Sequence, residues 1–321
     1  MAMQPATPKP ATAPDVPDPR VEAIVLESTV LGVAKTFYVY TPPGYEESEE
    51  PVPSLYFFRG QEQEWLNPEQ DESLQGFTLL DAYEELLDAG QVGPMVLVFP
   101  GIGSDDGAVP GVLTDFVAPE LAEGHPGVGT GRFETYFIEE LIPYVDSHYR
   151  TLPQGGARGV AGFSLGGFMS TKIALQYPEM FGSVSAFDGL YFFTDDDCRV
   201  AEEPGSIFEA SLFDAAFGKP RDIEHTSANN SPTIVCRSDP GMIQSIDWFI
   251  QYGPEAAEPN DSNFYRGQHF VELLEVNGVQ NRVTPVLSGG HNWHTAVAHM
   301  QQTLPLHWAT LSDAVLVPAA P

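Results

Sequence analysis

Positive charge is the scarcest commodity in this chain. Its 321 residues include 14 Lys and Arg against 45 Asp and Glu, a formal net charge of −31. Lysine occurs only at Lys9, Lys35, Lys172 and Lys219. Such a surface repels polyanions, so neither nucleic acid nor an anionic membrane is expected as a partner. The excess of acid reads either as a solubility surface or as adaptation to high salt, where screening removes the self-repulsion. No run of about 18 apolar residues occurs, so no membrane span is expected. Cysteine is also sparse. Cys198 and Cys236 have no metal-ligand spacing, and the sequence leaves open whether they form one disulfide or two buried thiols. No secretory leader is visible at the start; a leader already removed would leave the same sequence, so the compartment stays open. Nothing in the chain signals an oligomeric state.

Residues 1–20, MAMQPATPKPATAPDVPDPR, are rich in Pro, Ala and Thr, and are expected to be disordered and outside the fold. Residues 21–321 are expected to form one α/β domain. Two strands are predicted within Val21–Tyr40 around Gly32, then strands at Ser54–Phe58, Pro94–Phe99, before Gly162, at Phe181–Phe187, Asp247–Tyr252 and Val283–Leu287. Helical spacing appears near Leu79–Ala89, at Phe133–Tyr149, after Ser164, at Phe264–Val276 and from about His294. Strand and helix in alternation argue a mostly parallel sheet with helices on both faces. The irregular, acidic stretch at about 190–230, with a short helix near Ile207–Phe217, is expected to be an insertion over the sheet's C-terminal edge. The long loop at 101–131 is expected to wall a site.

The stretch Arg158–Asp188 organises the rest. It contains Gly162-Phe163-Ser164-Leu165-Gly166-Gly167, a G-x-S-x-G motif between an apolar strand and a helix. That context requires the serine to sit on a tight, strained turn, with glycine where a side chain would collide with strand or helix. Ser164 then stands at a helix N-terminus, facing free N–H groups, as a nucleophile should.

A serine hydroxyl needs a base, usually a His held by a carboxylate. Of eight histidines, His291 is chosen because it follows a predicted strand and the pair Gly289-Gly290. His291 and His294 lack the further ligands that zinc needs, so no metal is expected. The carboxylate is expected after the strand at 247–252. Asp261, before the helix at Phe264, is preferred over Glu255 and Glu258, with Asp239 an outsider. The oxyanion requires two N–H donors: Leu165, after the nucleophile, and Gly60 or Gln61, after the strand Ser54–Phe58. Tyr191, Phe192, Phe193 and Trp293 read as core residues or as platforms for an aromatic acyl group or a sugar.

Several segments together resemble the esterase family of α/β-hydrolases that includes esterase D, feruloyl and acetyl xylan esterases, enterochelin esterases and mycobacterial mycolyltransferases. They are Tyr38-Val39-Tyr40-Thr41-Pro42-Pro43-Gly44-Tyr45, Glu139–Asp146 with Tyr149-Arg150-Thr151, the Gly162–Gly167 turn, Tyr177–Phe181, and Gly289-Gly290-His291-Asn292-Trp293. The resemblance runs from about Lys35 to His294. It implies an α/β-hydrolase fold and a serine ester hydrolase with no cofactor, acting on a small-molecule or saccharide ester through Ser164, His291 and an acid, Asp261. It also implies two rivals: an acyltransferase of the same fold, or a catalytically silent carbohydrate-binding or scaffold member. The chain departs from the pattern at Gly253, which an insertion separates from Asp261, at Arg59-Gly60, where His-Gly is usual, and at Asp188-Gly189, where Ser-Gly is common. Arg59 and Asp188, with Trp293, are therefore expected to shape the acyl or alcohol pocket, or Arg59 and Asp188 to pair with each other.

Overall fold

Successive residues of the central strands point into two different apolar layers. Phe37 and Val39, Tyr56 and Phe58, Val96 and Val98 belong to one layer; Tyr38 and Tyr40, Leu55 and Phe57, Leu97 and Phe99 belong to the other. Such double burial explains why these strands read as unbroken hydrophobic runs rather than alternating ones. In the computed structural model, which describes residues 18–313, they form a seven-stranded sheet. The strands are β1 (Val21–Glu27), β2 (Ala34–Tyr40), β3 (Ser54–Phe58), β4 (Val96–Phe99), β5 (Arg158–Phe163), β6 (Ser183–Phe187) and β7 (Asp247–Gln251), in the order β1-β2-β4-β3-β5-β6-β7. The pairs β1–β2 and β2–β4 are antiparallel and all the others are parallel. The chain thus has the α/β-hydrolase architecture.

Helices cover both faces. On one lie α2 (133–148), α3 (Leu165–Gln176) and α4 (Phe264–Val276); on the other lie α1 (Leu79–Asp88) and α5 (Trp293–Asp313). Helix α2 follows the predicted span but carries a π turn at Phe137–Leu141. Pro143, which has no N–H to return to the preceding turn, follows it by two residues.

Three expectations need correction. Asp18 to Arg20 belong to the fold: Asp18 is buried and bonds Arg20, whose guanidinium also reaches Asp81 and Glu84. Residues 1–17, the rest of the segment predicted to be disordered, lie outside the described residues. Val283–Leu287 is not a sheet strand. It runs beside β7 through isolated bridges, with Pro285 O accepting from Tyr252 N–H and Leu287 N–H donating to Tyr252 O. Pro285 has no N–H with which to extend the ladder. The insertion contains more helix than predicted. Besides the short turns from Ile207 to Phe217, a helix forms at Ile223–Ala228, and beyond the expected limit of about 230 helices follow at Ser231–Arg237 and Pro240–Ile243. A disulfide joins Cys198 to Cys236 across it.

Candidate active site

Strand β5 lies between β3 and β6, so the turn that follows it opens at the middle of the sheet's C-terminal rim. Ser164 occupies that turn with φ 57° and ψ −114°, a conformation L residues rarely hold and one concentrated at functional sites. The packing explains the flanking glycines. A Cβ on Gly162 would lie 2.1 Å from the Gly166 carbonyl, and one on Gly166 would lie 1.9 Å from the Phe58 carbonyl oxygen. Ser164 is anchored through its own backbone, its N–H donating to Phe187 O and its carbonyl accepting from Phe168 and Leu190. Leu165 opens α3, so its N–H lacks an intrahelical acceptor, as does every amide of a first helical turn.

The Ser164 hydroxyl lies 2.9 Å from Nε2 of His291. Nδ1 of that ring lies 2.5 Å from Oδ2 of Asp188. The carboxylate that reaches the imidazole is therefore Asp188, not Asp261. Asp188 follows β6 directly and its side chain is 0% exposed. Its second oxygen, Oδ1, accepts from the N–H groups of Gly253 (3.0 Å) and Asn263 (2.9 Å), and its carbonyl accepts from Asn263 Nδ2. With both oxygens occupied in a dry setting, the carboxylate has one orientation, and that orientation faces the ring. Asp261 is exposed and serves the histidine differently: its carbonyl and Oδ1 both accept from the His291 backbone N–H, at 2.9 and 3.0 Å. It also packs against Gly290, where a Cβ would lie 1.8 Å from its Oδ2. Glu255 and Glu258 bond Tyr265 instead.

Asp188 is thus misplaced as a pocket residue, and it does not pair with Arg59. The Arg59 guanidinium sits 4.9 Å from the centre of the Phe163 ring and 5.5 Å from that of Trp293, and its Nε lies 3.4 Å from Glu64. Trp293 is only 4% exposed and packs against Trp65 and Phe163. It is core beneath the histidine rather than a platform for substrate. Tyr191 and Phe192 are core as well; Phe193 is half-buried.

The loop expected to supply the second oxyanion donor holds a surprise. Gln61 N–H donates to Oε1 of Glu64 at 2.5 Å, and the same oxygen lies 2.8 Å from where a Cβ on Gly60 would stand. Burial raises the Glu64 carboxyl above its ordinary range, with Arg59 acting in the opposite sense. A carboxylate therefore engages one of the two amides expected to serve an oxyanion. The three-residue spacing of Glu64 from Gln61 is the sequence signal of this contact.

Among the described residues, no group of three or more His, Cys, Asp or Glu side chains could hold a metal ion, and no helix is long and apolar enough to cross a membrane.

Residues 28–306 match the family described as "Putative esterase". Esterase Rv1288 of Mycobacterium tuberculosis is 29% identical over 172 residues, covering 54% of this chain and 33% of that protein. An endo-1,4-beta-xylanase/feruloyl esterase of Xylanibacter ruminicola is 29% identical over 172 residues, covering 52% of this chain and 21% of that protein. The chain therefore aligns with a third or less of the length of these curated relatives. Among solved structures, a ferulic acid esterase superposes with a TM-score of 0.66 at 24% identity, covering 90% of this chain and 97% of that one.

Proposed function

The chain belongs to the esterase family, and from that premise we propose that it is a serine carboxylic-ester hydrolase working through Ser164, His291 and Asp188. One observation carries the reading: an unbroken hydrogen-bonded line from the hydroxyl on the strained turn, through both nitrogens of one imidazole, to a buried carboxylate.

Each residue has a chemical task. Ser164 Oγ attacks the ester carbonyl carbon while Nε2 of His291 takes its proton. Asp188 holds Nδ1 as the protonated nitrogen, which leaves Nε2 free to accept, and it stabilises the imidazolium that forms. The Leu165 amide, at the positive end of α3, donates to the developing oxyanion. The second donor is a Gly60 or Gln61 amide, and Gln61 becomes available when Glu64 releases it. The alcohol departs with the proton held by His291. Water, deprotonated by the same nitrogen, then attacks the acyl-enzyme and frees the acid. The His291 side chain is 27% exposed, so water can reach the intermediate; this favours hydrolysis over transfer to a second alcohol. The complete hydrogen-bonded line also argues against a silent member that has lost its acid.

The strongly acidic chain favours neutral esters over anionic ones, because a negative surface lowers the local concentration of anions. Neutral feruloyl or acetyl esters fit this better than a polyanionic thioester. Turnover of p-nitrophenyl acetate tests the reaction class. Activity that disappears in Ser164→Ala with the fold retained supports it; activity equal to wild type in that variant overturns it.

A further inference from the structure

Helix α5 starts at Trp293, two residues after His291, and runs for 21 residues. The positive end of its dipole therefore lies next to the base along the chain. That end opposes the reaction, because the imidazole must carry a positive charge while it holds the serine proton. A second positive group stands nearby. The Arg59 guanidinium lies 4.9 Å from the centre of the Phe163 ring and 5.5 Å from that of Trp293, and Phe163 itself lies 4.7 Å from the His291 ring.

Three acceptors meet the first turn of α5. Asn292 Oδ1 accepts from Thr295 N–H at 3.0 Å. The other two come from a remote segment. Asp71 Oδ2 accepts from Trp293 N–H at 3.2 Å, and Ser73 Oγ accepts from His294 N–H at 3.0 Å, across 222 and 221 residues of chain. Asp71 is the charged member of the three. It also caps its own short turn, where Oδ1 accepts from Ser73 N–H at 2.7 Å and from the Ser73 hydroxyl. A local cap needs one oxygen; the other faces the helix. Trp65, in the same segment, fixes the approach. Its ring meets that of Trp293 edge-on at 5.0 Å, and its Nε1 donates to Phe58 O at 3.1 Å. Burial raises the Asp71 carboxyl, but the bonds from Ser73 and Trp293 outweigh it and hold the group below its ordinary range. Asp71 is therefore ionised at neutral pH.

We propose that Asp71 is a positioning residue for the base: bonded to the first amide of α5, its carboxylate offsets the helix dipole where the imidazolium forms. The assignment rests on the ester-hydrolase reading of the site, but it can be tested apart from it. The other charged groups around His291 have different duties. Asp188 holds Nδ1, Asp261 takes the backbone N–H, and Glu64 stands beside Arg59. His294 is exposed on the first turn of the helix. Among the described residues, Asp71 is the carboxylate bonded to that turn.

The test compares wild type with Asp71→Asn, which keeps the shape and removes the charge, and with Ser73→Ala, which removes a neutral bond to the same turn. Circular dichroism confirms the fold of each. Asp71→Asn should lower kcat for p-nitrophenyl acetate about 2- to 5-fold, the scale of a charge at a helix end, and leave KM unchanged. Raising KCl from about 0.05 to about 1 M screens the charge, so the ratio of wild-type to variant kcat should shrink toward one. Ser73→Ala should lose less, and its ratio should not respond to salt. Labelling of Ser164 by a fluorophosphonate needs the same proton transfer without an ester, and should slow by the same factor in Asp71→Asn. Equal rates in wild type and Asp71→Asn, or a loss that Ser73→Ala matches and salt leaves alone, overturn the proposal. Labelling that slows in Asp71→Asn while wild type turns over no ester overturns the hydrolase reading and keeps the role of Asp71. Absence of both labelling and turnover overturns the two together.

Discussion

Replacing Asp188 by Asn changes one oxygen for an NH₂ group and almost nothing in volume. The Asn carbonyl can keep the bonds from Gly253 and Asn263 that now go to Oδ1. The NH₂ must then face Nδ1 of His291, the position now served by Oδ2 at 2.5 Å. An NH₂ donates, so Nδ1 must become the acceptor and the ring proton moves to Nε2. Nε2 then points a hydrogen at Ser164 Oγ and cannot take its proton. A triad with this wrong tautomer loses about 10⁴ in kcat, or about 5.4 kcal/mol of transition-state stabilisation. Asp261→Asn makes the contrast. Its Oδ1 accepts the His291 backbone N–H in parallel with its own carbonyl; the Asn oxygen can keep that bond, and even its loss should cost no more than about 1 kcal/mol, under 10-fold. The assay is kcat for p-nitrophenyl acetate in the two variants, with circular dichroism to confirm the fold. An Asp188→Asn enzyme within 10-fold of wild type, beside an Asp261→Asn enzyme down by three orders of magnitude, would refute the assignment of the acid.

Other consequences follow from the same geometry. Glu64→Gln replaces a charged acceptor of the Gln61 amide by a weaker neutral one, and should raise kcat about 5-fold, the equivalent of about 1 kcal/mol; a fall in kcat would show that the carboxylate holds the loop in working shape. Gly166→Ala puts a methyl 1.9 Å from the Phe58 carbonyl oxygen, and should cost about 3 kcal/mol in urea denaturation together with most activity; a variant of normal stability and rate would contradict the packing argument. Burial holds His299 and His307 neutral, lowering each from 6.5 to about 3. The unfolded chain then binds more protons than the folded one below pH 6.5, so the stability these residues permit is full above that pH and falls as pH drops toward 3, by about 1.4 kcal/mol per pH unit per histidine. Urea midpoints at pH 7 and 5 check this, and His307→Gln should reduce the slope; a slope unchanged by that variant would count against it.

The turn around Ser164 was legible in the sequence because its geometry admits few residues. Backbone collisions demand Gly162 and Gly166, and those glycines advertise the serine between them. His291 was legible for a related reason, since Gly289-Gly290 frames it. The acid was not, because its place depends on which strands neighbour each other. Phe187 of β6 pairs with Gln251 of β7, and Asp188 N–H bonds Gln251 O. The ends of these strands lie side by side, so a carboxylate after either can reach the same imidazole. Local spacing pointed to the later strand, but the chain uses the earlier one. The visible signal was Asp188-Gly189 in a position where small residues are common; the structure adds a positive φ of 50° there, a conformation that Asp tolerates better than most residues. Trp293 was misassigned because an aromatic next to a catalytic histidine looks alike whether it faces substrate or core; only the packing of Trp65 and Phe163 around it decides. The helix Ser231–Arg237 had a readable start, with Asn230 before it and Pro232 in its first turn.

The central claim is that Asp188 and His291 make one hydroxyl, that of Ser164, unusually reactive. Treatment with a fluorophosphonate, followed by peptide mass mapping, measures that reactivity directly. The account predicts a single adduct on the peptide containing Ser164, formed rapidly in wild type and orders of magnitude more slowly in Asp188→Asn. Labelling at another residue, or labelling of Ser164 at the same rate in both proteins, would contradict it.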